Sequence, residues 1–169
     1  GRDMAAATEN SDSTSGTERL TAFSDGVFAV AITLLVLDIR LPDLPPQAGS
    51  AALAAALLTI LPKIGAYVLS FLVVGEFWYL HHKRFQHIHR CDGGLIWLNL
   101  LLLLMVSFVP FASSVLSTYP NATANALYDG TMAVTALLSA AMWRYALAGD
   151  RLVRPGTDAG ARRRGLAGS

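Results

Sequence analysis

Apolar residues fall into four long stretches, separated by short segments rich in proline, glycine or charge. The first begins near Glu18 and continues through AFSDGVFAVAITLLVLDI to Leu41, where Pro42, Pro45 and Pro46 stop it. The others cover about 63–86, 94–118 and 123–148. Each approaches the ~20 residues a helix needs to cross ~30 Å of hydrocarbon. Pro62 suits the first turn of the second helix, whereas Pro110 lies inside the third and predicts a kink or a shift in its last turns. Ala51–Ile60 is apolar but too short to span, which predicts an interfacial or re-entrant segment. Residues 1–17 carry Ser, Thr, Ala and acidic side chains without apolar periodicity, and a disordered tail is expected there. Residues 149–169 form a basic, Gly-rich tail. The fold expected is all-α: a polytopic membrane protein with one transmembrane domain over 18–148 and four spanning helices.

Faces of the first helix follow from its ~100° turn per residue. With Asp25 at zero, Val30 falls at about 140°, Leu34 at about 180° and Leu37 at about 120°. These three make one apolar stripe on the side away from Asp25. Thr33, at about 80°, borders it. Periodicity alone leaves two readings open, since such a stripe can face lipid or another helix, or it can line a pore.

Composition agrees with the membrane reading: 53% of the 169 residues are hydrophobic and only 15% charged, against about 25% charged in a soluble domain. The net charge of +1 conceals an asymmetry. Lys83, Arg84 and Arg90 lie between the second and third stretches and six Arg lie from Arg144 onward, while the opposite side has Arg40 and Lys63. Because basic residues favour the cytoplasmic face, both termini and the His-rich loop are expected inside. Arg outnumbers Lys by eleven to two in an Ala- and Gly-rich chain, which points to a GC-rich bacterial genome, and the expected location is a bacterial inner membrane. The single Cys91 excludes an intrachain disulfide framework.

Candidate chemistry is sparse. Asp25 sits at the start of an apolar run, where a carboxylate costs roughly 2.5–3.5 kcal/mol at mid-helix depth unless it has a partner or a task. Its candidate partners are Arg19, His81, His82 and Asn99; Arg19, six residues earlier, is too far around the helix for a local pair. A helix-end cap by Ser24 and Asp25 is the competing reading. Glu76 and Asp129 read as structural carboxylates, and Trp78 and Trp97 as interfacial anchors or packing residues. The histidines His81, His82, His87 and His89 do not follow a zinc spacing, so no metal site is expected. No nucleophile with a base, phosphate loop or redox pair is present, and neither an enzyme nor a cofactor- or nucleic-acid-binding protein is expected.

Arg19, Phe23, Ser24 and Asp25 spell R-x-x-x-F-S-D, and the chain continues as GVFAVAITLLVLDIRLP. With LPKIGAYVLSFLVVGEFWYLHHKRF, LIWLNLLLLLMVSFVPF and ALYDGTMAVTALLSAAMWRYAL in the same order, this resembles the transmembrane protein 175 family of endolysosomal potassium channels and their bacterial relatives. The resemblance implies a passive, potassium-selective cation channel without a TVGYG filter, assembled as a homotetramer whose first helices line a central pore. It places the constriction at Val30, further apolar layers at Leu34 and Leu37, and a polar ring at Thr33. The residues Arg19, Phe23, Ser24 and Asp25, with His81, His82 and Asn99, are then expected to tie the first helix to its neighbours. Relatives usually carry a larger Ile or Leu at the constriction, so Val30 predicts a slightly wider ring. Family members usually have six spanning helices rather than four, so the expectation is either that two further helices follow residue 169 or that the chain is a shortened homologue. Potassium is the expected permeant ion, with other monovalent cations or protons open; a proton- or cation-coupled transporter and a non-conducting membrane scaffold are the competing functions.

Overall fold

The computed structural model describes residues 2–148 and 152, with side chains from Gly16 onward. Helix α1 covers Arg2–Leu34 and passes into a 3₁₀ turn at Leu35–Asp38. Helices α2 (Ser50–Thr59), α3 (Leu61–Phe85), α4 (Gly93–Thr118) and α5 (Ala122–Leu147) follow. The described residues form no β-sheet.

The start of α1 differs from the expected disordered tail over 1–17. The Ala-rich segment Ala5–Ala7 has no proline, and no glycine separates it from the apolar run until Gly16. Extending an existing helix avoids the costly nucleation step, so the polar segment continues the helix despite lacking an apolar stripe. At the other end, the α-helix closes at Leu34, and the expected span to Leu41 finishes as a 3₁₀ turn and extended backbone. The expected basic tail at 149–169 lies outside the described residues except for Leu152, whose carbonyl accepts from the His89 amide at 2.7 Å.

Helix α4 is the organising element, packing against α5, α1 and α3. Its buried positions Leu95, Asn99, Leu102, Val106, Val109 and Ser113 alternate spacings of four and three, the seam of two helices crossing at a shallow angle. Most buried positions of α5 are small or hydroxylated, among them Ala124, Thr131, Thr135, Ser139 and Ala146, with Met142 and Trp143 the large exceptions. Small residues let the two backbones approach closely. The hydroxyls of Thr131 and Thr135 donate to the carbonyls of Leu127 and Thr131, both at 2.7 Å, which satisfies them inside the helix. A short turn makes the α4–α5 hairpin, and Asn121 caps α5 by accepting from the Ala124 amide at 3.0 Å.

On the other side of α4, α1 buries Ser24, Phe28, Ala31 and Leu35, a stripe with the same four-and-three spacing. Helix α3 closes this side with Val74, His81 and Phe85. Gly16–Asp38, Leu61–Phe85 and Gly93–Thr118 are each long and apolar enough to cross a membrane. Large side chains such as Leu72, Leu104 and Phe111 stand exposed on α3 and α4, a surface that a single water-soluble chain would not carry. The stretch expected as a fourth span, 123–148, forms α5, which is not among the three helices long and apolar enough to cross a membrane. It has 26 residues, like α4, but its buried hydroxyls together with Asn125, Asp129 and Arg144 lower its hydropathy below that of the other three.

Candidate functional site

Two faces of α1 separate by chemistry. On the packed face, Ser24, Phe28 and Ala31 are at most 1% exposed. On the opposite face, Val30, Leu34 and Leu37 are 57%, 43% and 61% exposed, as the helical arithmetic places them. Phe23 joins that outer face at 52%. Thr33 is exposed, and its hydroxyl donates to the Val30 carbonyl at 2.9 Å. Its proton is thereby committed to the helix, and its lone pairs are left facing outward. An open apolar groove of about 410 Å³ runs between this face and α4, with Phe23, Gly26, Val30 and Leu34 on one wall and Ser107 on the other.

Behind the outer face lies a directional hydrogen-bond chain across three helices. His81 of α3 meets Asn99 of α4 through Nε2 and Oδ1 at 2.8 Å. Asn99 Nδ2 donates to Ser24 Oγ at 2.9 Å, and Ser24 Oγ donates to the Leu20 carbonyl at 2.8 Å. Because the amide oxygen can only accept, His81 donates from Nε2, while its buried Nδ1 has no hydrogen-bond partner among the described residues. The ring stacks on Phe85, with centroids 4.2 Å apart, and tilts against Phe28 at 5.5 Å. His81, Asn99 and Ser24 are all fully buried. Each of α1, α3 and α4 therefore contributes one polar residue to an otherwise apolar junction.

Among the described residues, none of the candidate partners hydrogen-bonds to Asp25. Trp78 Nε1 donates to Asp25 Oδ1 at 2.8 Å. Trp78, read as an interfacial anchor or a packing residue, thus also ties α3 to α1. It lies three residues before His81 and shares the α3 face turned to α1, a spacing that could have identified it. His82 stacks on Trp78 with centroids 5.6 Å apart and contacts Gln86 Nε2 through its own Nε2 at 3.0 Å. Asp25 and His82 line an open cavity of about 390 Å³ with Glu18, Thr21, Gln86 and His89, and Phe85 and Ile88 supply apolar walls. Arg19 is exposed and stands apart from the Ser24–Asn99–His81 chain. The motif therefore divides: Ser24 enters the buried chain, Asp25 holds Trp78, and Arg19 and Phe23 face outward.

Other polar anchors lie outside the predicted set. Arg84, expected among the loop cations, is buried, and its Nη1 donates to the carbonyl and hydroxyl oxygens of Ser139 at 3.0 and 2.5 Å. Ser70, Ser113 and Tyr128 join α3, α4 and α5 through hydroxyl contacts of 2.9 and 3.2 Å centred on Ser70. Asp92 caps α4 by accepting from the Leu95 amide and also accepts from the Tyr145 hydroxyl, both at 2.8 Å. Asp38 of the 3₁₀ turn accepts from Ser114 and Ser117 of α4. Glu76, read as a structural carboxylate, is exposed on α3. Among the described residues, no three His, Cys, Asp or Glu side chains gather closely enough to hold a metal.

Comparison with known proteins places this architecture. Residues 19–110 match the family model described as the endosomal/lysosomal potassium channel TMEM175. A potassium channel of Streptomyces collinus is 41% identical over 150 residues, covering 86% of this chain and 71% of that protein. A potassium channel of Chamaesiphon minutus is 38% identical over 148 residues, covering 85% and 72%. The human endosomal/lysosomal proton channel TMEM175 is 33% identical over 135 residues, 77% of this chain but 27% of that longer protein. The crystal structure of a lysosomal potassium-selective channel TMEM175 homolog from Chamaesiphon minutus superposes with a TM-score of 0.72 at 38% identity, covering 81% of this chain and 74% of that one. The outward apolar face of α1 and the polar chain behind it both lie within the matched region. This chain belongs to the TMEM175 family of ion channels.

Proposed function

We propose that the chain is one subunit of a potassium-conducting, passive cation channel of a bacterial inner membrane, in which α1 lines the pore. The observation that carries this reading is the exposed stripe Val30, Leu34 and Leu37 on a helix that buries Ser24, Phe28 and Ala31 on another side. One chain supplies one copy of the stripe. Closing it into a ring takes symmetric assembly, and cyclic symmetry is the usual solution; a homotetramer is the assembly proposed.

An apolar ring makes an ion shed water without offering replacement ligands, and such constrictions also gate by dewetting. Potassium holds its hydration shell less tightly than sodium, so a neck at Val30 followed by layers at Leu34 and Leu37 favours potassium modestly. Thr33, with its lone pairs directed outward, supplies a polar ring between the first two layers. The Ser24–Asn99–His81 chain and the Trp78–Asp25 bond then hold the back of α1 while its front faces the axis. In this arrangement α5 serves as a fourth span, and both termini are cytoplasmic.

The names of the two bacterial relatives favour potassium, whereas that of the human relative raises proton conduction. The stripe itself carries no titratable side chain, which favours passage of a metal cation over a side-chain proton relay. Reconstitution into potassium-loaded liposomes, with potassium and proton flux followed separately, tests the reading. Potassium efflux that does not saturate and does not require a pH gradient is expected. Well-folded oligomers without potassium flux would refute it, and saturable pH-coupled flux would identify a transporter. Val30→Ala is expected to change conductance or selectivity more than Ile32→Ala, because Ile32 packs against the core.

A further inference from the structure

The C-terminal end of α1 does not finish as an ideal α-helix. In α-geometry, Leu37 would sit about 60° around the axis from Leu34. The Leu35–Asp38 segment is instead a 3₁₀ turn, in which residues i and i+3 eclipse. Leu37 therefore stacks over Leu34, while Asp38 stacks over Leu35. Exposure follows the same division: Leu34 and Leu37 are outward, Leu35 is 3% exposed, and Asp38 is half-buried toward α4.

A 3₁₀ turn has poorer hydrogen-bond geometry than an α-helix and needs something to hold it. Both carboxylate oxygens of Asp38 are engaged by α4: Ser114 Oγ donates to Oδ1 at 2.5 Å, and Ser117 Oγ donates to Oδ2. Ser114 and Ser117 are three residues apart, one turn of α4, so their hydroxyls meet the two oxygens of one carboxylate. The Ser117 hydroxyl also lies 3.0 Å from the Ser114 carbonyl, an acceptor available to it if Asp38 lets go. The clasp adjoins an open cavity of about 440 Å³ that Leu34, Leu37, Arg40 and Lys63 also line.

We propose that Asp38 is a positioning residue for the outer apolar layer: its clasp on Ser114 and Ser117 holds the 3₁₀ turn that aligns Leu37 with Leu34. The proposal rests on the pore reading of the α1 stripe. Losing both hydrogen bonds to the carboxylate is expected to shift the turn by about tenfold toward α-geometry.

The test uses the full chain in liposomes or planar bilayers. Ser114→Ala/Ser117→Ala and Asp38→Asn are each compared with Leu37→Ala for the potassium-to-sodium permeability ratio. In parallel, Leu37→Cys in a Cys91→Ser background is titrated with an impermeant thiol reagent, with and without the serine changes. The clasp variants are expected to move the permeability ratio in the direction of Leu37→Ala and to change the modification rate by about tenfold, the shift in the turn. If Leu37→Ala changes permeation but the serine pair alters neither ratio nor rate, the clasp proposal is overturned and the stripe stands. If Leu37→Ala and Val30→Ala are both silent in conducting protein, the stripe reading fails and the proposal falls with it. Should Asp38→Asn not assemble, the serine pair, which leaves the carboxylate in place, decides between these outcomes.

Discussion

Replacing Asn99 by Leu isolates the contribution of the three-helix polar chain. Leu keeps the γ-branched shape of Asn and is the bulkier of the two, so the change removes hydrogen bonds without opening a cavity. Two contacts disappear, to His81 at 2.8 Å and to Ser24 at 2.9 Å. Their effects are unequal. Ser24 keeps its own donor bond to the Leu20 carbonyl, whereas His81, fully buried between Phe28 and Phe85, is left with an unpaired N–H. Interhelical hydrogen bonds in membranes average about 0.6 kcal/mol and reach about 1.7, and an orphaned buried donor costs about 1–3 kcal/mol. The expected total is about 2–3 kcal/mol, most of it at His81. Adding His81→Phe removes the orphan and keeps a ring between two aromatic neighbours, so the double variant should recover at least about 1 kcal/mol relative to Asn99→Leu. Unfolding in mixed micelles titrated with dodecyl sulfate, followed by fluorescence of the buried Trp143 and its two companions, Trp78 and Trp97, measures all four corners of the cycle. Additive costs for the two substitutions would refute the chain as a coupled unit.

Two further outcomes follow from local geometry. A Cβ on Gly94 would lie 2.3 Å from the Tyr145 hydroxyl oxygen, so Gly94→Ala displaces that ring and breaks its bond to Asp92. A loss of about 1–2 kcal/mol is expected, and Tyr145→Phe should make Gly94→Ala less costly; equal stability of Gly94→Ala and the parent in the same unfolding assay would contradict the close approach. Cys91 lies in the loop between α3 and α4, where burial raises its thiol above the ordinary value of 9.0; the Thr17 hydrogen bond opposes this and the nearby Asp92 charge adds to it. A raised thiol stays protonated and unreactive to higher pH. Alkylation of native protein by iodoacetamide should therefore lag that of unfolded protein and keep rising above pH 9, and a plateau below pH 8 would exclude this assignment.

The periodicity of α1 was sufficient to separate its faces because burial of one face follows directly from helical geometry. Placing Val30, Leu34 and Leu37 opposite Asp25 requires only ~100° per residue, and their exposure agrees with it. What periodicity lacks is the register between helices. Asp25 had four plausible partners by charge and polarity, and the one it meets, Trp78, is set by where α3 crosses α1. Asn99, in contrast, was identifiable as a network residue from its own helix. An amide at a buried position of a Leu-rich span must find partners, and no exposed position was available to it.

Arg84 marks the limit of reading function from charge counts. Lys83, Arg84 and Arg90 look equivalent as contributors to a cationic loop, yet Arg84 points inward and spends its guanidinium on Ser139 of α5. The cue was the small, hydroxylated seam of α5, which leaves a carbonyl and a hydroxyl open to a donor from α3, but only the relative rotation of α3 and α5 makes that cue specific. The same reasoning explains Asp38. In a linear reading it ends the apolar stretch as a polar residue at the membrane edge. In three dimensions the α-to-3₁₀ transition turns it toward Ser114 and Ser117 and turns Leu37 the other way. A rotation of ~20° per residue, accumulated along the turn, therefore brings the outward Leu37 into line with Leu34 and carries Asp38 round to anchor the helix to α4.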